Sequence, residues 1–389
     1  MPNNIRFYVL GLYILLIPFD NVRLLPLSLS TLMGMLFIFL SMNPAINYRK
    51  KWLIEMVPFF LSFFLFLLAS LGFMQDTSLK KGNDSLFNTT LLYFILISVT
   101  AIVASEEQNT KHFKQILYFV FFSTFIASLT GLYELVSVLF FNRFPFGTAY
   151  IQYFKLLETY ILRIRGTYFD PNYFSVLPLL VIITANFLFS NKLLKVTINL
   201  LMIILILATF SRMGVVCLII YYAITFVPKR LFYYVVIPIS VLISPILLYQ
   251  LNQFAKSLLE FNPKSVDHRF QIIEGSIRMI KANPIWGYGY NVKSPIGLES
   301  HNTYLQLLMY GGILGFLLVF LPIVFCYIKF YSIPLKDGEG YRIKKLLLGM
   351  MFPFLISIFF LSYLTIKFFW IFVMIFFLGK NVLVARNEA

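Results

Sequence analysis

The chain has 389 residues, of which 60% are hydrophobic and 12% charged, and it carries a formal net charge of +16. Soluble domains run nearer half apolar and a quarter charged, so the composition excludes a soluble enzyme and calls for a polytopic membrane protein. No long polar block exists to build a soluble domain, and residues 1–389 are read as a single integral membrane domain.

The first apolar run, Phe7 to Phe19, follows a single cation, Arg6. The "DNVRLLP" after it offers no small-residue cleavage site, so the run is read as a span and not as a signal peptide. Further runs near the length a span requires follow at roughly 24–42, 53–74, 86–104, 115–141, 173–190, 196–210, 213–227, 231–250, 303–328, 346–363 and 365–383. They predict an all-α polytopic membrane protein of about 12 transmembrane helices, with a large outer-face loop containing short helices. The seventh and eighth runs, parted only by "SRMG", are one bent unit or two tilted helices. Cys217 and Cys326 lie inside apolar runs and read as small buried hydrophobes.

Loop cations set the sidedness. Arg49, Lys50 and Lys51 follow the second run, Lys111 and Lys114 the fourth, Lys192 and Lys195 the sixth, and Lys229 and Arg230 the eighth. Lys329, Lys336, Arg342, Lys344 and Lys345 follow the tenth. With Arg6, Lys380 and Arg386 they fall on one side, which the positive-inside rule makes the cytoplasm, with both termini in it. The positive balance is therefore partly topological, and nucleic acid is not an expected partner.

Two longer segments remain outside, 142–172 and 251–302, and they hold Arg143, Lys155, Arg163, Arg165, Lys256, Lys264, Arg269, Arg278, Lys281 and Lys293. Arg212 joins them from the "SRMG" turn. A solvated loop surface would explain any one of these. Three features together point to a bound anion: they sit beside span ends, acidic residues are few around them, and several are arginines, whose planar fork suits phosphate. A polyisoprenyl diphosphate in the outer leaflet fits, and an ordinary phospholipid head group fits less specifically.

In "RIRGTYFDPNYFS", Gly166 permits an unusual backbone angle, Asp170 and Pro171 start a turn, and Asn172 is a candidate cap for the next helix. Arg163 and Arg165 are harder to explain structurally. Arg212, where two apolar runs meet, is either functional or snorkels to the interface. In "DHRFQIIEGSIRMIKANPIWGYGYN", Phe270, Ile273, Ile277 and Ile280 recur at helical spacing, which predicts a surface helix whose apolar stripe meets the membrane. "GYGYN" reads as a glycine-interrupted turn; it lacks the strand and helix of a nucleotide-binding loop. His301 stands where the tenth run begins and is either a helix-start residue or a base. Metal-ligand clusters and a Walker motif are missing from the sequence, and the first outer loop, where Asp20 stands alone, has no closely spaced acidic pair, so neither a metal nor another cofactor is expected. Charged residues inside the runs, which a transporter would need, reduce to Glu55 and Lys367 near span ends.

An Arg-Gly…Pro-Asn segment before a span, a Ser-Arg turn, an "R…M…NP…G.G" loop and an "HN…L…GG..G" span follow in that order over about residues 160–330. This order and sidedness resemble the O-antigen polymerase and O-antigen ligase superfamily of bacterial membrane proteins. The resemblance implies a metal-independent, inverting transferase of the bacterial cytoplasmic (inner) membrane, working on its periplasmic face. The donor would be an undecaprenyl-diphosphate-linked glycan. The acceptor would be a second lipid-linked glycan for a polymerase, or lipid A–core for a ligase. By the same resemblance Arg165, Arg212 and Arg269 bind diphosphate and His301 is the general base; Arg163 and Arg278 complete the basic set. Membrane lipids and a chain-length regulator are the other expected partners. The "FDPN" variant and the "GYGYN…HNTYLQLL" spacing look more like a polymerase, with ligase as the alternative and a lipid-linked glycan transporter as a second.

Overall fold

A computed structural model describes residues 2–19, 28–42, 48–72, 86–105, 110–141, 143, 145, 150–154, 159–168, 170–226, 263–290, 292–295, 297, 300, 302–335, 337–361 and 367–388. Over these residues the protein is an all-α bundle. Its helices are α1 (Pro2–Leu16), α2 (Leu29–Ser41), α3 (Lys50–Ile54), α4 (Val57–Gly72), α5 (Leu86–Ser105), α6 (Thr110–Phe141), α7 (Pro171–Phe174), α8 (Val176–Leu188), α9 (Lys192–Ala208) and α10 (Arg212–Phe226). They continue as α11 (Pro263–Ala282), α12 (Thr303–Ser332), α13 (Gly338–Phe360) and α14 (Lys367–Glu388).

Among the described residues seven helices are long and apolar enough to cross a membrane: Trp52–Gly72, Asn88–Ser105, Thr110–Phe141, Pro171–Leu188, Thr303–Ser332, Gly338–Phe360 and Lys367–Asn387. Ile5–Phe19, Leu29–Ser41 and Arg212–Phe226 are shorter apolar helices. The expected span at 231–250 lies outside the described residues. The two runs around "SRMG" form separate helices, α9 and α10. The first outer segment adds something the helical reading lacked, an antiparallel hairpin of β1 (Tyr150–Phe154) and β2 (Thr159–Arg163) that pairs Tyr150 with Arg163.

The cation-rich helix ends gather at one end of the bundle. Lys114 and Arg342 reach Glu339 at 2.8 and 3.3 Å, and Arg386 meets Asp337 and the Thr110 hydroxyl. The Gly340 N–H and the Arg386 guanidinium hold Asp337 below the usual carboxylate range. At the opposite end lie the start of α12 and the segment 163–175. There Asn302 caps α12 by accepting from the Leu305 N–H at 3.1 Å.

α12 is broken at Gly312, whose φ of 58° and ψ of −157° only glycine adopts readily. In an unbroken helix the Ile313 and Leu314 N–H groups would bond to the carbonyls of Met309 and Tyr310. Here those N–H groups bond instead to the carbonyls of Pro284 and Ile285, at 2.8 and 3.4 Å. The freed Met309 and Tyr310 carbonyls accept from the N–H groups of Tyr288 and Gly289, both at 2.8 Å. The "NPIWGYG" segment therefore takes the place of one helical turn's worth of partners, a swap that gives the Ile313 and Leu314 N–H groups and the Met309 and Tyr310 carbonyls new ones. Gly287 and Gly289 have positive φ, and a Cβ on Gly287 would lie 2.6 Å from the Gly311 nitrogen. What reads in sequence as a glycine-interrupted turn is a wedge whose residues Gly287 to Tyr290 are buried in the bundle. The fully buried Tyr290 ring packs on Phe66, Tyr93 and Tyr310, and its N–H bonds to the Ser70 hydroxyl at 2.6 Å.

The helix before the wedge, α11, packs by a different face from the predicted stripe. Ile272, Ser276 and Met279 are buried and Gly275 abuts Pro295, whereas Ile273 and Ile277 are exposed. Gly275 and Ser276 allow the close approach, Ile280 of the expected membrane-facing stripe packs partly on the core, and Ile273 and Ile277 stay outward.

Replacing Gly312 by valine forces a branched side chain into a glycine-only conformation, a strain of roughly 1–3 kcal/mol. We expect a lower unfolding temperature in detergent for Gly312→Val, with Gly72→Ala, at a glycine with open space around it, as the neutral control.

Candidate functional site

The segment from Arg163 to Ser175 and the turn from Ala208 to Arg212 are built as one unit. β2 ends at Arg163, and the next residue, Ile164, donates its N–H to the Ala208 carbonyl at 3.1 Å. Arg163 is 7% exposed; its Nε donates to the Thr209 carbonyl at 2.8 Å and its Nη2 to Asn172 Oδ1 at 3.0 Å. Ser175 donates to the Ser211 hydroxyl at 3.3 Å, and Gly214 lets α10 approach Ser175 closely. Arg163 is thus a latch between the two segments. Its Nε and Nη2 are engaged by protein acceptors, which sets this candidate diphosphate ligand inside the joint between the two segments.

The cap prediction is corrected. Asp170, not Asn172, caps α7 by accepting from the Asn172 N–H at 2.7 Å, with Pro171 at the first helical position. Asn172 keeps its side-chain oxygen for Arg163.

Arg165 rests on a mount that the sequence reading missed. Glu134, in α6 and 3% exposed, accepts with one oxygen, Oε2, from the successive N–H groups of Arg165 and Gly166 at 2.9 and 2.8 Å. Its negative charge also acts on the Arg165 guanidinium. Gly166 has a φ of 54°, which turns the two N–H groups toward the same acceptor. The buried Phe174 ring fills the space beside Gly131 and Gly166, where a Cβ on Gly166 would lie 2.5 Å from it. Peptide bonds, a carboxylate and an aromatic ring so fix the backbone of Arg165, while its side chain is half-buried. The signal for Glu134 was present: it is an acidic residue well inside an apolar run.

Arg212 is exposed at the first position of α10. Just before it Phe210 has a φ of 48°, an uncommon conformation for a bulky residue, held by its N–H bond to the Leu207 carbonyl at 2.9 Å. The Thr209 and Ser211 side chains are fully buried beneath it. The turn is held by Ser211, whose hydroxyl accepts from the Gly214 N–H at 3.2 Å and whose N–H donates to the Thr209 hydroxyl at 3.1 Å, and it leaves the Arg212 side chain exposed.

Lys367 opens α14 at this end. It is 3% exposed and donates to the hydroxyls of Ser28 and Thr31, each at 2.8 Å, and to that of Ser30. The next residue, Phe368, meets the Tyr168 ring at 6.2 Å, which ties this lysine's helix to the Arg165 segment. Thr303 at the start of α12 donates to the Leu361 carbonyl at 2.6 Å. Arg278 is exposed on α11; the Arg269 side chain and His301 lie outside the described residues. His301 directly precedes Asn302, the α12 cap. The structure thus joins the segments of Arg165 and Arg212, puts Arg278 on the helix that leads into the wedge, and turns Arg163 inward. Among the described residues no group of three or more His, Cys, Asp and Glu gathers.

Residues 197–320 match a family model described as O-antigen ligase, a stretch that runs from α9 through the Ser-Arg turn, α11 and the wedge into α12. This is consistent with the O-antigen polymerase and ligase superfamily and supports a membrane glycan-transfer function. No curated protein matches the chain.

Glu134→Gln retains an oxygen able to accept both N–H groups, whereas Glu134→Ala leaves two buried donors bare, at a cost of roughly 1–3 kcal/mol each. We expect glycan transfer by membranes to fall at least about tenfold in Glu134→Ala, because the Arg165 backbone shifts, and to stay near wild type in Glu134→Gln. Arg163→Ala should lower the unfolding temperature, since it strips partners from the Thr209 carbonyl and Asn172.

Proposed function

We propose that this protein is a polysaccharide polymerase that transfers a glycan from undecaprenyl diphosphate to a lipid-linked repeat unit at the outer face of the bacterial cytoplasmic membrane. The observation that carries the reading is the hydrogen-bonded unit of the Arg165 segment and the Arg212 turn. It presents two arginines on rigid backbone at the bundle end opposite the lysine-rich loops.

The chemistry follows from the charges. A hydroxyl oxygen of the acceptor glycan attacks the anomeric carbon of the donor. The bond from that carbon to the diphosphate oxygen breaks, and the configuration inverts. Negative charge grows on the departing diphosphate, and Arg165 and Arg212 stabilise it with charge-assisted hydrogen bonds. Arg278 and Arg269 add positive potential from α11. His301 takes the proton of the attacking hydroxyl, a role that an imidazole near neutral pKa can fill. Diphosphate is already a good leaving group, so a glycosidase-like carboxylate pair is not needed.

The ligase reading keeps the same donor, residues and steps and changes the acceptor to lipid A–core. The family match supports membrane glycan transfer and is compatible with either acceptor. The transporter reading is weaker, because the intramembrane charges Glu55, Glu134 and Lys367 are each engaged locally.

The test uses a deletion strain of the native host that expresses wild type, Arg165→Ala, Arg212→Ala or His301→Ala at matched membrane levels. Each arginine variant should lose roughly a hundredfold in transfer, the scale of removing one preorganised donor. Loss of the polymer ladder with single lipid-linked repeat units accumulating identifies a polymerase. Lipid-linked polymer that never reaches lipid A identifies a ligase. Full activity in all three variants would refute the assigned chemistry.

A further inference from the structure

Far from the arginine unit, toward the C-terminal half of α12, lies an apolar groove of about 510 Å³ between α4, α12 and α14. Its origin is local. Gly311 and Gly315 bring α12 against the Phe66 ring of α4, so the two helices touch closely there. Beyond that contact the break at Gly312 and Pro322 inside the helix redirect α12, and a groove opens beneath. Its volume falls within the roughly 300–1,000 Å³ of pockets that enclose a small ligand. The walls are apolar side chains such as Leu317, Leu321 and Phe377, and the charged lining residues are Glu55 and Lys329.

Among the described residues those two charges belong to a triad with one positive charge in excess. Lys380, 1% exposed, pairs with Glu55 Oε2, and Lys329 pairs with Glu55 Oε1 at 2.7 Å. A buried lysine must keep its counter-ion, so Glu55 is committed to Lys380. The surplus charge therefore sits on Lys329, whose side chain is 51% exposed at the edge of the groove. This is the end of the bundle where the cationic loops gather.

We infer that this groove is a binding site for one anionic glycerophospholipid, with an acyl chain along Leu317 and Leu321 and its phosphate against Lys329. A long apolar wall ending in an uncompensated ammonium matches a lipid of that charge, and the cytoplasmic leaflet supplies it. A neutral lipid would leave the net positive charge of the triad unbalanced. A second copy of the chain, related by a two-fold axis, would set two positive triads against each other.

Native mass spectrometry of the detergent-purified protein through graded delipidation tests this, with dioleoyl phosphatidylglycerol and dioleoyl phosphatidylcholine as probes. Wild type should keep one phosphatidylglycerol under conditions that strip phosphatidylcholine. Leu321→Trp, which fills the groove from an exposed position, should lose it, with Leu317→Phe as the second variant should the first fail to fold. Lys329→Ala should reduce the preference for phosphatidylglycerol about fivefold, the worth of one lysine near an anionic surface. Equal retention of both lipids by wild type, unchanged retention in the groove-filling variants, or a two-chain species that excludes lipid would overturn the proposal.

Discussion

No backbone N–H or carbonyl can be left bare in an apolar bundle, and the working parts of this protein are arranged around that constraint. Wherever the chain departs from a regular helix it must supply a partner from elsewhere in the fold. At Gly312 the partner is another loop, which trades four hydrogen bonds with the broken helix. At Thr209 it is the Arg163 side chain, and at Arg165 and Gly166 it is the Glu134 carboxylate. Each exchange ties a non-helical segment to a helix far from it in sequence. Irregular backbone thereby becomes as firmly held as the helices around it.

That has a consequence for charge. A diphosphate site needs arginines that face outward and do not move, and long side chains on mobile loops lose affinity to ordering entropy. Here the flexible part is confined to the side chain. The backbone of Arg165 is set by Glu134, Gly166 and Phe174, and Arg212 follows a turn held by Thr209, Phe210 and Ser211. The carboxylate that mounts Arg165 also offsets part of its charge.

The buried charges divide by their partners. Lys380 has a carboxylate and Lys367 has three hydroxyls, and neither faces solvent. Arg212, Arg278 and Lys329 stay exposed. Burial of an ion demands local neutralisation or dense hydrogen bonding, so the exposed cations are the ones available to meet a ligand.

The class of this protein was legible in composition alone, because too few charged residues exist to coat a soluble fold. The gathering of cations at one end of the bundle was legible because short-loop lysines and arginines record it, and the regions of Arg165 and Arg212 were legible as arginines beside span ends. The separate roles of Arg163 and Arg165 were not. Two residues apart in an extended segment, they are equivalent by type and position, and only packing against Thr209 and Asn172 turns one inward. The Asp170 cap and the wedge at "GYGYN" were hidden for a related reason. A turn's sequence states that the chain can bend, whereas the acceptors within reach decide what the bend is for. The sequence determined how many apolar helices there would be to within a few and which end would be positive, since both follow from local hydrophobicity and charge. The tertiary structure decided which polar groups meet, since hydrogen bonds between residues thirty to two hundred positions apart depend on geometry that no local pattern contains.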